Sequence, residues 1–161
     1  MKLASCEIRE LGGHNAAWAL LKQLYFEETG EPLPPIAIGQ FGQPYFQDSP
    51  YYFSLTHTNR HAFCAISRSR VGIAAEELDR PIKMSLAKRV LSKAELARFE
   101  ASDNKRRTLL TYWVLKEAYF KMLGTGLQGF PNQTDFLPDD PRVREMDGCL
   151  VAVISEEENA L

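Results

Sequence analysis

At 161 residues the chain is long enough for one domain with a buried core. Its 45% hydrophobic and 25% charged content argues against a disordered chain, and a net charge of −2 leaves no electrostatic footprint for nucleic acid. No segment approaches the ~20 apolar residues of a membrane span, so no membrane partner is expected.

In chain order, Lys2 to Ile8 reads as a strand, broken by Gly12-Gly13. His14 to Glu28 has helical spacing through Trp18, Leu21, Leu24 and Tyr25, and Gly30 and Pro32 stop it. Pro34 to Phe46 is expected to form short extended pieces, and Gln47 to Pro50 a loop. Tyr51 to Leu55, Ala62 to Ile66 and Val71 to Leu78 are three strands with short connections, which predicts an antiparallel meander. Thr56 to His61 is its first turn.

Met84 to Leu91 and Ala94 to Phe99 are expected helices, and Ser92 with Glu95 makes a capping box for the second. A long helix begins near Lys105 and ends at Gly124, a suitable left-handed C-cap. Leu109, Leu110, Tyr112 to Leu115, Ala118 to Phe120, Met122 and Leu123 leave it almost no polar face, so it belongs in the middle of the domain. Phe130 to Pro141 is irregular. Arg142 to Met146 and Cys149 to Ile154 form a hairpin across Asp147-Gly148, and the acidic tail from Glu156 to Glu158 is expected to fray. The fold class is α+β: a single domain over 1–161, with an antiparallel sheet packed on a long buried helix.

Three charges interrupt that helix: Lys116, Glu117 and Lys121. Glu117 and Lys121 stand four apart in the favourable order, a pair worth about 0.2–0.5 kcal/mol. Lys116 points about 100° away. One carboxylate between two ammonium groups also suits a phosphate-bearing ligand with a metal. On the third strand, Gly72, Ala74 and Glu76 share one face and Val71, Ile73, Ala75 and Glu77 the other. Glu77 is expected in solvent at the strand end. Glu76, deeper, is either an edge carboxylate in water or a partner of Glu117 across a divalent cation. His57 is either simply exposed in its turn or, with the hydroxyls of Thr56 and Thr58, part of an anion site. A transition-metal hydrolase using His57, Glu76 and Glu117 is a further reading.

The three cysteines, Cys6, Cys64 and Cys149, lie in separate apolar segments without metal spacing and are read as reduced core residues of a cytoplasmic protein. Glu7, Arg9 and Glu10 break up any apolar run of a secretory leader.

Three segments stand in a telling order: FSLTHT (53–58), VGIAAEE (71–77) and WVLKEAYFKMLGTGL (113–127). Together they resemble the 4′-phosphopantetheinyl transferase superfamily, whose pattern is a Ser-His turn, a strand Gly-Ile-Asp-Ile-Glu, and a helix Trp-x-x-Lys-Glu-Ala-x-x-Lys-x-x-Gly-x-Gly-Leu. FGQPYF (41–46) is similar to the family's Gly-Lys-Pro segment. The resemblance covers about residues 39 to 127 and points to the surfactin-synthetase-activating type with a shortened first half: a lobe over 1–50 and a lobe over 51–161 that carries the motifs.

The resemblance implies Mg²⁺-dependent transfer of the phosphopantetheine arm of coenzyme A to a serine of an apo acyl or peptidyl carrier protein. It implies Glu76 and Glu117 as metal ligands, Glu117 also as general base, and Lys121 with Glu117 as the catalytic pair. It further implies Lys116 and Lys121 as phosphate contacts, and His57 with Thr56 as contacts to the nucleotide 3′-phosphate. Ala74 stands where the family has a metal-binding Asp, Gln43 where Gly-Lys-Pro has Lys, and His14-Asn15 about where many members carry an Arg. An impaired enzyme is therefore expected, with a non-catalytic relative that binds coenzyme A or a carrier protein as the alternative. An Asp at 74 is expected to cost little stability with metal bound, because the face it joins is read as polar.

Overall fold

The computed structural model describes residues 1–129 and 131–157. Its elements run β1 (Lys2–Glu7), α1 (Gly13–Thr29), β2 (Ile36–Ile38), β3 (Pro44–Phe46), β4 (Tyr52–His57), β5 (His61–Ser67), β6 (Val71–Glu77), α2 (Ala87–Val90), α3 (Lys93–Ala101), α4 (Lys105–Leu123), β7 (Val143–Met146) and β8 (Cys149–Ser155). Phe130 and Glu158, within the irregular stretch and the tail of the sequence reading, lie outside the described residues.

The expected meander is not what forms. β4 and β5 pair as predicted, but β5 takes β1 on its other side, giving a sheet ordered β1-β5-β4. β6 leaves that sheet and pairs with the terminal strand, giving a second antiparallel sheet ordered β6-β8-β7. Sequence proximity favoured the β5–β6 hairpin. The hydrophobic pattern of β8, buried along its full length, decided otherwise, because such a strand needs partners on both edges and cover on both faces.

Side-chain alternation then stacks four layers. On β5, Cys64 and Ile66 face α1 with Leu20, Leu21, Leu24 and Tyr25. Phe63 and Ala65 face the other way, onto Val71, Ile73 and Ala75 of β6 and Cys149, Val151 and Val153 of β8. The opposite face of the second sheet, Ala74, Leu150, Ala152 and Ile154, packs on α4 through Leu110, Val114, Ala118 and their neighbours. The order is α1, first sheet, second sheet, α4; the antiparallel sheet packed on the long helix is the second one, and β2 with β3 forms a separate two-stranded ladder.

α4 has the predicted bounds. Asn104 caps its start by accepting from the Arg107 N–H at 3.1 Å, and Gly124 ends it at φ 77°. The Ser92–Glu95 capping box is present at α3. Asp147 and Gly148, at φ 53° and 74°, make the two-residue turn that β7 and β8 require. Met84 to Leu91 forms only a short 3₁₀ turn and the four-residue α2. The tail is anchored at its start, where Glu156 accepts from Arg70 at 2.7 Å. α4 sits unusually close to β6: a Cβ on Gly72 would lie 1.8 Å from the carbonyl oxygen of Ala118. Glycine there is a condition of the helix–strand contact.

Candidate active site

The α4–β6 contact carries the candidate residues. Trp113, Glu117 and Lys121 recur every four positions along one helix face. At one end the Trp113 indole N–H donates to Glu76 Oε1 at 3.1 Å. The same Glu76 oxygen accepts from the Arg80 guanidinium. At the other end Lys121 Nζ donates to the backbone carbonyls of Leu55 (2.9 Å) and Ile73 (3.0 Å). This ammonium therefore bridges β4 of the first sheet to β6 of the second.

Glu117 lies between these anchors. Its carboxylate forms no hydrogen bond and no ion pair within 4.0 Å among the described residues, so the simple helix pair with Lys121 is not made. Burial pushes its pKa up to about 7; Lys121 and Arg80 oppose the shift and the Glu76 carboxylate adds to it. Burial lowers the pKa of Lys121, against the pull of Glu117 and Glu76. A half-buried carboxylate without a donor among the described residues, beside a second carboxylate, is an arrangement that a divalent cation would complete.

β4 runs on through Thr56 and His57, which pair with Phe63 and Ala62 of β5, so these two residues end a strand instead of starting a turn. Thr56, His57 and Lys121 line a hollow of about 520 Å³ together with His14, Trp18, Phe53 and Gln43. His57 also borders a second hollow of about 760 Å³, whose walls include Arg60, Glu76 and Arg80. The His57 ring packs on the backbone at the start of α1: a Cβ on Gly13 would lie 2.2 Å from its Nδ1. No side chain caps that helix start. Gln43 packs its amide against Gly39 and Gly124, and its Oε1 is buried without a hydrogen-bond partner among the described residues.

Lys116 and Glu77 also depart from the sequence reading. Lys116 does not join Lys121. It is wholly buried on another side of α4, paired with the equally buried Glu95 at 2.7 Å, and it donates to the carbonyls of Pro131 (2.6 Å) and Thr134 (2.5 Å). Three acceptors use all three of its protons, which leaves none for a phosphate. The 100° offset from Glu117 was visible in the sequence; the partner at Glu95, on a different helix, was not. Glu77 is buried rather than solvated. It accepts from Thr58 and from Arg60 (2.8 Å), and these donors outweigh burial and hold its pKa below the usual carboxylate value.

His57, Glu76 and Glu117 do not come together as a group of possible metal ligands; among the described residues the triad whose ligand atoms do is His61, Glu77 and Cys149. Ala74 is fully buried against α4 in an apolar cluster, so the face around it is not polar. Arg60 and Arg80, beside Glu77 and Glu76, were missed by the sequence reading: Arg60 reaches Glu77 from the β4–β5 connection, 17 residues away, whereas Arg80, four residues after Glu76, was close enough to suggest the pair.

Residues 70–149 match the family model of the 4′-phosphopantetheinyl transferase superfamily. The chain belongs to that superfamily. It is 34% identical over 91 residues to the 4′-phosphopantetheinyl transferase Sfp of Bacillus subtilis, covering 55% of this chain and 40% of that protein. It is 38% identical over 87 residues to the 4′-phosphopantetheinyl transferase HetI of a Nostoc species, covering 51% and 36%. A third relative, the 4′-phosphopantetheinyl transferase gsp of Aneurinibacillus migulanus, is 28% identical over 90 residues, 55% of this chain and 37% of that protein. Each match thus spans well under half of the curated relative's length. The solved holo-[acyl-carrier-protein] synthase of Thermotoga maritima is similar at 27% identity over 53% of this chain and 61% of that one, with a TM-score of 0.44. No helix among the described residues is long and apolar enough to cross a membrane.

Proposed function

We propose that this chain transfers the 4′-phosphopantetheine arm of coenzyme A to a serine of an apo acyl or peptidyl carrier protein, in the cytoplasm and with Mg²⁺. Family membership supports the reaction class. The observation that carries the reading is Glu117: a half-buried carboxylate with its pKa pushed up to about 7, set between Glu76 and Lys121 and without a hydrogen-bond donor among the described residues.

In the reaction a bond forms between the serine oxygen and the phosphorus that bears the pantetheine, and the pyrophosphate bond to the nucleotide breaks, releasing adenosine 3′,5′-bisphosphate. Glu117 takes the serine proton, and its raised pKa suits it to do so near neutrality. Lys121 spends two of its three protons on Leu55 and Ile73. The third is available to a phosphate oxygen, and the two carbonyls fix the ammonium in place. Glu76 and Glu117 would hold Mg²⁺, which supplies positive charge to the pyrophosphate oxygens. Trp113 and Arg80 orient Glu76 for that task. His57, with Thr56 and the uncapped start of α1, offers donors and a positive helix end to the 3′-phosphate. Lys116 has no part in binding; it holds α4 to α3 and to the segment after Pro131.

Ala74 supports a lower activity than the relatives', because a buried methyl replaces a ligand and a charge. It is also the observation favouring a relative that binds coenzyme A or a carrier protein without transfer. The deciding experiment incubates the protein with coenzyme A, Mg²⁺ and a panel of apo carrier proteins and reads intact mass. Modified carrier is the expected result. A panel left unmodified at high Mg²⁺, while coenzyme A still raises the melting temperature, leaves the binding-only reading. Coenzyme A is expected to raise it more than dephospho-coenzyme A; equal shifts would remove His57 from the site.

A further inference from the structure

Strand alternation brings a second set of side chains together, away from Glu117. His61 opens β5 on the same face as Phe63 and Ala65; Glu77 closes β6 on the face of Ile73 and Ala75; Cys149 opens β8 on the face of Val151. All three therefore point into the gap between the two sheets, at one end of it. Glu77 and Cys149 are directly paired in the β6–β8 register.

We propose that His61 Nδ1, Glu77 Oε1 and Cys149 Sγ form a binding site for a thiophilic divalent cation of the Zn²⁺ class. His61 Nδ1 lies 3.4 Å from Glu77 Oε1 and 3.8 Å from Cys149 Sγ, and the three atoms lie within 4.8 Å of one another. Tetrahedral Zn²⁺, with bonds of about 2.0–2.3 Å, places neighbouring ligand atoms about 3.3–3.6 Å apart. Against the 4.8 Å bound, closure therefore needs a shift of about 1.2–1.5 Å at most, not a refolding of the strands.

The charge balance also fits. A thiolate, a carboxylate and a neutral imidazole carry −2, which the cation neutralises, the thiol proton leaving to solvent. Arg60 is already balanced, since it contacts both Glu77 Oε2 and Asp79 Oδ1 at 2.8 Å. It grips the oxygen opposite the one offered to the metal, as outer-shell partners of ligating carboxylates do. A thiolate with an imidazole selects a softer ion than the all-oxygen pair Glu76 and Glu117, so the two sites take different metals. Of the three, Glu77 also borders the hollow that Thr58 and Arg60 line.

Co²⁺ is the probe, because thiolate ligation gives a charge-transfer band in the near ultraviolet and tetrahedral geometry gives intense visible d–d bands. One equivalent added to the reduced full chain is expected to develop both. Cys149→Ala should abolish the charge-transfer band, and His61→Gln, at a half-buried position, should weaken Co²⁺ binding at least tenfold. Glu117→Gln should leave both signals intact, so failure of the transferase reading and failure of this one are distinguishable. Absence of the charge-transfer band in the folded, reduced protein overturns the proposal, as does its survival in Cys149→Ala. If Cys149→Ala does not fold, unchanged Co²⁺ affinity in His61→Gln overturns it equally.

Discussion

Replacing Lys116 with methionine separates its two readings. Lys116 and Glu95 each have no exposed side-chain surface, and 2.7 Å separates their charged atoms. The lysine also satisfies two carbonyls, of Pro131 and Thr134. Methionine fills similar volume but leaves the Glu95 carboxylate without its counter-charge, still held by the N–H groups of Ser92 and Phe136 at 2.8 Å each. Breaking one partner of a buried pair costs about 3–5 kcal/mol. A chain of this size loses ~2–4 °C per kcal/mol, so Lys116→Met should lower the melting temperature by roughly 6–20 °C. Removing the second charge as well, in Lys116→Met/Glu95→Gln, should recover part of the loss, because no charge is then stranded. Calorimetry measures the shift, and coenzyme A titration of the folded variant measures binding. A melting point within 2 °C of the parent, together with lost coenzyme A binding, would refute the structural reading and return Lys116 to the phosphates.

Glu117→Gln is expected to abolish carrier modification while the chain stays folded. Glu117 has its folded pKa raised, so the native state holds more protons than the unfolded chain between the ordinary glutamate value and about 7. Stability of the metal-free protein should therefore fall as pH rises through that window, and the Gln variant should lose this dependence in pH-resolved melting curves. Ala74→Asp is expected to cost about 1–3 kcal/mol without metal, because it buries a polar group in an apolar contact. Saturating Mg²⁺ should restore part of that and raise transfer at low Mg²⁺; an unchanged Mg²⁺ dependence would show that position 74 does not reach the cation. Gly72→Ala should destabilise by about 1–3 kcal/mol or more in urea titration, since the new Cβ meets the α4 backbone rather than a yielding side chain.

Much of the molecule was legible as sequence wherever local chemistry fixed the outcome. The bounds of α4, the Ser92 capping box, the Asp147-Gly148 turn and the split of β6 into a face with Glu76 and a face with Glu77 all follow from caps, special backbone angles and the period of two along a strand. The motif around Glu117 carried the family. Tertiary structure alone decided strand partners and the company each charge keeps. β6 left the predicted meander for β8, some 70 residues on, because pairing follows the burial of whole strands rather than nearness along the chain. Lys116 and Lys121 carry the same charge on the same helix, yet one closes on Glu95 in the core and the other bridges two sheets beside the open hollow. Glu77 looked solvated and Cys149 inert because the residues beside them, Arg60 in the β4–β5 connection and His61 on β5, come from elsewhere in the chain. A side chain's chemistry is set by what surrounds it in space, and a single sequence shows only what is next to it along the chain.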